Sequence, residues 1–337
     1  LRRAAESDPD PWLFAYVDAL IKLGRKEELA TFLGGRALDA RQTPEIRRQL
    51  AFQLLELDRR DLAEPAFRAL AASAAPDSND VGQLLYLWGP RPTAAQIDWI
   101  EARAQGASGE ARLAWLRKLL DVNAYARVIA FYERQPDDAG RPAYIEALVR
   151  LRDGRRLAAA IEGRIAAGAG VEELRQLARL GEQESQLRPA LGALQALLAK
   201  QPDDAPALAQ AGRIAFYLNR RNEARDALAR LLARAPGDYQ SNFIYAEVLA
   251  AEKRIAAARP HFQRALELVR AEPVQTYPMR LTEAQTLQRL GRREEALAAF
   301  KDLVEERPRD ASLRADYVAA LLDAGRTAEA RQMLTGQ

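Results

Sequence analysis

Apolar residues recur along most of the chain at the spacing of one helix face. Over 310–323, Leu313, Tyr317, Ala320 and Leu321 fall on one side of a predicted helix, with polar residues between them. Gly325 ends that stretch, as Gly291 and Gly24 end theirs. Glycine enters the left-handed conformation that closes a helix without a Cβ clash. A second helix follows, and a proline often closes the pair, at Pro202, Pro236 and Pro308. Two residues later stands an acid, Asp204, Asp238 or Asp310, placed to accept bonds from the free amides of the next helix. Pro136 with Asp138 repeats the arrangement.

The helical pairs keep a beat. Small residues at Ala190, Ala224, Ala258, Ala296 and Ala330 stand 34, 34, 38 and 34 positions apart, and Leu29 and Ala63 are also 34 apart. A period in this range signals a solenoid of stacked units. Short side chains let two antiparallel helices approach, and Ala224 is expected to face Gly212 in this way. A larger residue there would overpack the pair, at a cost of about 1–3 kcal/mol.

Between 76 and 175 the beat slips, with markers near Ala126 and Ala159. An apolar helix over 81–88 is stopped by Gly89, Pro90 and Pro92, and Thr93 caps a helix carrying Ile97, Trp99 and Ile100. A loop follows at 106–109. This stretch reads either as a divergent pair with tight turns or as a binding edge built from Trp88, Trp99 and Trp115. Gly140, Gly154, Gly163, Gly168 and Gly170 suggest further looseness. The opening 1–6 reads as the tail of a helix whose start is missing, stopped by Asp8 and Pro9, so a piece of a longer protein is expected.

These residues resemble the tetratricopeptide repeat (TPR) family, which places small residues in both helices, a bulky residue four after the second, and a closing proline. Ala284, Leu287, Gly291, Ala296, Phe300 and Pro308 match that pattern, as do Gly212, Ala224, Leu228 and Pro236. Ala246, Leu249, Ala258, Phe262 and Ala265 match, with Arg270 in place of the proline. Ala51, Leu54, Ala63, Phe67 and Leu70 match near the front.

The resemblance implies an all-α fold, a right-handed α-solenoid or superhelix of about ten helix-turn-helix repeats. Its expected divisions are regular repeats over 1–75, divergent ones over 76–175 and regular ones over 176–337, in one continuous solenoid. Ten hairpins stacked 8–10 Å apart would reach on the order of 100 Å. It also implies a concave groove lined by the first helices. The groove positions are Arg175, Arg179, Arg213, Phe216, Tyr217, Phe243, Glu247, Gln285 and Arg289. Arginine and aromatic side chains there can anchor a protein partner. Phe216, Tyr217 and Phe243 can equally pack between helices. TPR modules that clamp a chaperone's carboxyl terminus use an Asn on the first helix. Asp18, Phe52, Arg213, Glu247, Gln285 and Ala319 stand there instead, so such clamping is not expected.

Composition narrows the chemistry. The 337 residues are 48% hydrophobic and 29% charged, which fits a folded chain rather than a disordered one. Cysteine is absent, which excludes disulfides, thiolate metal sites and cysteine nucleophiles. His261 is the single histidine, which excludes a multi-histidine metal site. No cofactor is expected. Acidic pairs occur at Asp137 with Asp138, Glu172 with Glu173, Asp203 with Asp204, Glu294 with Glu295, and Glu305 with Glu306. A hydrolytic pair needs two carboxyls converging within about 5–9 Å. Neighbours at a helix start point apart and fit capping and the helix dipole. No phosphate-binding glycine motif is present.

The net charge is +3, from 50 basic and 47 acidic residues. The two signs interleave, as in Glu223, Asp226 and Arg230, and no block of five or six basic residues occurs, so nucleic acid is not an expected partner. No run of eighteen apolar residues is present, so no membrane span is expected.

The expected function is a non-catalytic protein-protein interaction scaffold with partners in the concave groove. Long Cys-poor, Ala- and Arg-rich arrays resemble the periplasmic TPR region of bacterial exopolysaccharide (biofilm matrix) export proteins, which leads to an outer-membrane pore. That resemblance implies the periplasm of a Gram-negative bacterium. Its implied partners are polysaccharide-modifying enzymes or the polysaccharide itself. The alternatives are a cytoplasmic assembly or regulatory scaffold and an RNA-binding helical-repeat protein. An enzyme built on a closed helical ring is disfavoured by the steady beat and by an aromatic content of 7%.

Overall fold

The computed structural model describes residues 9–72 and 78–335. The expected helix tail over 1–6 and the Asp8 stop lie outside these residues. The described residues form twenty α-helices and no strand. They divide into two compact units at Arg152 and Asp153. The expected divisions followed the regularity of the repeat, which is a different property from compactness.

The first unit holds α1 (Pro9–Lys22), α2 (Lys26–Leu38), α3 (Pro44–Glu56), α4 (Arg60–Ala71), α5 (Ser78–Trp88), α6 (Ala94–Gly106), α7 (Gly109–Asp121), α8 (Tyr125–Arg134) and α9 (Arg141–Arg150). The second begins with α10 (Gly154–Ala166) and continues as five hairpins. These are α11 (Val171–Gln183) with α12 (Leu187–Lys200), α13 (Ala205–Tyr217) with α14 (Arg221–Leu232), and α15 (Tyr239–Ala251) with α16 (Ile255–Ala271). The last two are α17 (Tyr277–Arg289) with α18 (Arg293–Glu306), and α19 (Ala311–Asp323) with α20 (Thr327–Thr335). In the second unit each first helix packs on its own second helix, which packs on the next first helix. Such neighbour-only packing is the logic of a helical-repeat solenoid.

One backbone device sets the repeat. In each turn from a first to a second helix, one residue is left-handed, with φ between +55° and +77°. Four are glycines, Gly24, Gly89, Gly291 and Gly325. Six are not: Asp58, Asn123, Arg152, Ser185, Asn219 and Lys253. Their amides close the helix: Gly325 N–H donates to Leu322 O at 3.0 Å, and Arg326 N–H to Leu321 O at 2.8 Å. At Gly89 the second bond is missing because Pro90 has no N–H. Successive left-handed residues lie 34, 31, 34, 29, 33, 34, 34, 38 and 34 positions apart.

The backbone therefore keeps one left-handed turn per helix pair, at intervals of 29 to 34 positions, through the stretch where side-chain markers lose the beat. The markers expected near Ala126 and Ala159 are displaced. Five positions past the left-handed residue stand Val128 and Leu157, both buried.

The caps form at Asp204, Asp238 and Asp310, which accept from the amides of Ala207, Ser241 and Leu313 at 2.8, 2.8 and 3.0 Å. Asp138 does not act this way. α9 starts after Gly140, whose amide donates to Asp137, while Asp138 pairs with Arg141. Glu305 and Glu306 end α18 rather than start a helix, so dipole complementarity does not explain that pair.

Close approach to apolar side chains of the paired helix occurs at Gly181 and Gly212. A Cβ on Gly181 would lie 2.9 Å from Ala190 Cβ, a small-to-small contact of the expected kind. A Cβ on Gly212 would lie 2.5 Å from Leu228 Cγ, so this glycine makes room for a leucine, not for Ala224.

The irregular middle is held by tryptophans. Trp88 to Trp99 and Trp99 to Trp115 meet edge to face at 5.8 and 5.7 Å. Arg68 and Arg103 lie over Trp88 and Trp99. Trp88 also donates to Glu64 at 2.8 Å. Trp88 and Trp115 are buried, so the series is an internal seam of the first unit, not an open edge.

Candidate functional site

The expected groove residues all lie on first helices of the second unit, and most are cross-braced. Arg213 of α13 donates to Glu182 of α11 at 2.7 Å, and Gln210 donates to the other oxygen of Glu182 at 2.7 Å. Gln285 of α17 donates to Asp316 of α19 at 2.9 Å. Arg289 of α17 grips Glu247 of α15 with Nε at 2.6 Å and Nη2 at 2.9 Å. Arg289 and Glu247 are thus the two expected site residues brought together. The carboxylate beside it raises the Arg289 guanidinium above its ordinary pKa.

Arg175 donates to Asp204 at 2.9 Å, so it braces the cap of α13. Burial pushes the Asp204 carboxyl up, but the Ala207 amide and Arg175 more than offset this and hold it below its ordinary value. Arg179 is exposed and has no hydrogen-bond or ion-pair partner among the described residues. Tyr217 is 62% exposed and tilts against Phe216 at 5.9 Å. Phe243 is half-buried and meets Phe262 edge to face at 6.0 Å, beside Ala246, Leu249 and Ala258. Of the aromatic positions, Phe243 packs between helices while Tyr217 is open to a partner.

The first helices thus present matched charges with few free ends. Partly exposed pairs contribute about 0.2–1 kcal/mol each, so their main effect is to fix side-chain geometry. Two clefts open among these helices. One, of about 450 Å³, is lined by Glu247 and Ala251 of α15, Ile255, Arg259 and Phe262 of α16, and Arg289 of α17. The other, of about 320 Å³, is lined by Gln210, Arg213, Asp238 and Ile244 among others. A third cleft, of about 490 Å³, belongs to the first unit and holds Tyr16, Glu28, Phe32 and Arg36. None of the expected site residues is there.

Sequence reasoning missed the acids Glu182 and Asp316, each 31 positions from its partner. The repeat period was the signal that could have found them. It also missed Ile255 and Arg259, because they lie on a second helix.

A stack of hairpins braced between successive first helices defines a helical-repeat protein. Residues 209–273 and 280–336 match tetratricopeptide repeat profiles, so the second unit carries tetratricopeptide repeats. No curated protein matches the chain. Similar solved structures include a tetratricopeptide repeat protein from Parabacteroides merdae, 18% identical, covering 64% of this chain and 78% of its own, with a TM-score of 0.42. MamA is 15% identical over 51% of this chain and 90% of its own, with a TM-score of 0.36. YrrB, described as a TPR protein with an unusual peptide-binding site, is 22% identical over 48% of this chain and 80% of its own, with a TM-score of 0.36. A chain of such repeats is a protein-interaction scaffold. Among the described residues no helix is long and apolar enough to cross a membrane.

Proposed function

We propose that the chain is the non-catalytic scaffold region of a bacterial exopolysaccharide secretion protein. In this reading it works in the periplasm of a Gram-negative cell and docks polysaccharide-modifying enzymes. The first-helix face of the second unit is its docking groove. The observation that carries the groove is the contrast along that face. Arg213, Gln285 and Arg289 are held by neighbouring acids, while Arg179 has no partner among the described residues and Tyr217 stands 62% exposed. Pre-set neighbours around free anchor residues favour docking, because less freedom is lost on binding. The export role is supported by the Cys-free, Ala- and Arg-rich repeats.

The test is deletion of this region in the source bacterium, with secreted polysaccharide and cell fractions measured. Loss of secretion and a periplasmic protein are expected. A cytoplasmic protein with unchanged secretion would sink the export role. Affinity capture with Arg179→Ala and Tyr217→Ala tests the groove, and loss of captured proteins is expected.

A further inference from the structure

We infer that the junction between α16 and α17 is a hinge, at which the last two hairpins, α17 to α20, swing as one body, and that Arg270 and Arg289 are the latch that holds it shut. This is independent of what the groove takes.

The four junctions between the five hairpins of the second unit are not built alike. Three turn through a proline, Pro202, Pro236 or Pro308, and fix the next helix with the capping acids Asp204, Asp238 and Asp310. A further side chain locks each of these turns. Arg175 donates to Asp204 at 2.9 Å, Asn242 to the Pro236 and Asp238 carbonyls at 3.0 and 2.9 Å, and Tyr277 to Asp310 at 3.4 Å. The junction between α16 and α17 has Pro273, but Gln275 stands where the acid would be. Thr276 precedes α17, and its side chain makes no cap bond. Gln275 donates to the Val269 carbonyl at 3.1 Å, which ties the loop to α16 and not to α17. Val274 in that loop is 80% exposed. The left-handed residues on either side, Lys253 and Gly291, are 38 positions apart, against 34 for their neighbours.

Packing divides at the same place. An apolar cluster around Ala246, Leu249 and Phe262 belongs to α15 and α16. Another, around Ala284, Phe300, Leu313 and Ala330, runs through α17, α18, α19 and α20, so those four helices move together. A smaller cluster of Leu266, Leu287 and Ala296 joins the two. Thr286 of α17 is wholly buried and its hydroxyl has no partner, at the place where α13, α15 and α19 hold Ile214, Val248 and Ala320. A buried hydroxyl without a bond lowers the stability of the packed helix that carries it.

Charge supplies what packing does not. Arg289 of α17 reaches back to Glu247 of α15 with both prongs. Arg270, in the last turn of α16, donates to Glu283 of α17 at 2.7 Å and to Glu295 of α18 at 3.2 Å. The two guanidiniums are 55% and 40% exposed, so salt reaches the pairs and weakens them. A joint of small apolar area closed by screened pairs opens while the bodies on either side stay folded.

The chain has no cysteine, so spin-label pairs can be placed at will on the full chain and read by double electron–electron resonance. Gln263→Cys with Ala298→Cys crosses the hinge. Ala298→Cys with Ala328→Cys lies within α17 to α20, and Ala233→Cys with Gln263→Cys crosses the capped junction between α14 and α15. All four positions are exposed. The pair across the hinge should give two distances. The longer one should grow at least about threefold between about 0.05 M and 1 M KCl, and likewise in Arg270→Ala and in Arg289→Ala. The other two pairs should keep one distance throughout. The salt series needs no change at the latch, so it decides even if a latch variant misfolds by circular dichroism. A single distance across the hinge under all these conditions overturns the inference, as does a longer distance indifferent to salt or to both substitutions. Equal broadening at the capped junction overturns it by making the whole unit a uniform spring. A change within α17 to α20 overturns it by showing local unfolding instead of a swing.

Discussion

Arg213 reaches back 31 positions to Glu182 and closes a 2.7 Å ion pair between two first helices. Both side chains are about one-third exposed, so solvent screens the pair. A double-mutant cycle of Arg213→Ala with Glu182→Ala, read by urea denaturation, should give a coupling of at most about 1 kcal/mol. A coupling of several kcal/mol would show instead that the brace itself holds the stack together.

The left-handed turns should respond in opposite directions. Gly291 has φ +77° and open space around its missing Cβ, so the cost of Gly291→Ala is a backbone cost of about 1–2 kcal/mol. Lys253 already bears that cost at φ +62°. Lys253→Gly should therefore leave stability equal or raise it by up to about 1 kcal/mol, after the extra freedom of unfolded glycine is counted. Denaturation midpoints followed by circular dichroism decide both.

Gly181 is constrained by space instead. An added Cβ meets Ala190 Cβ at 2.9 Å and the Gln186 carbonyl oxygen at 3.1 Å, and neither can swing aside. Gly181→Ala should destabilise by about 1–3 kcal/mol through overpacking. The same exchange at Gly163 meets open space and should not destabilise. Equal losses at the two sites would refute close packing as the reason.

His261 makes stability depend on pH. Asn242 spends its amide on the carbonyls of Pro236 and Asp238 at 3.0 and 2.9 Å, so its oxygen accepts from His261 Nδ1 at 3.1 Å. Burial lowers the His261 pKa from its ordinary 6.5. The unfolded chain then takes up the proton first, so stability present above pH 6.5 is lost as pH falls toward the folded value. His261→Gln should flatten this slope in melts between pH 7.5 and 5.5, and an unchanged slope would assign it to other groups.

The readout matters. Trp12, Trp88, Trp99 and Trp115 are the four tryptophans, and all lie in the first unit. Indole emission therefore reports the first unit directly, and backbone signals are the direct readout for Gly181, Lys253, His261 and Gly291.

Much of the fold was legible because its signals are local. Asp204, Asp238 and Asp310 announce helix starts, and Gly24, Gly291 and Gly325 announce ends. The beat was lost where Val128 and Leu157, rather than a small residue, stand five positions past Asn123 and Arg152. Asp138 misled because Asp137 receives the Gly140 amide. Charges were harder still. Interleaved signs, as at Glu223, Asp226 and Arg230, argued against nucleic acid but named no pairs. Many pairs join neighbouring repeats, such as Arg59 with Glu27 and Arg326 with Glu294, each 32 positions apart. Partner choice at that distance depends on the stacking itself, which no local pattern encodes.

The recurring left-handed residue also makes the chain modular at the level of the gene. A fragment running from Asn219 to Lys253 spans 34 positions and begins and ends in the same dihedral state. A tandem copy would rejoin the backbone without a mismatch and offer its neighbours the faces they already contact. Arrays of this build can lengthen or shorten by whole cassettes, with the ends of the protein left untouched.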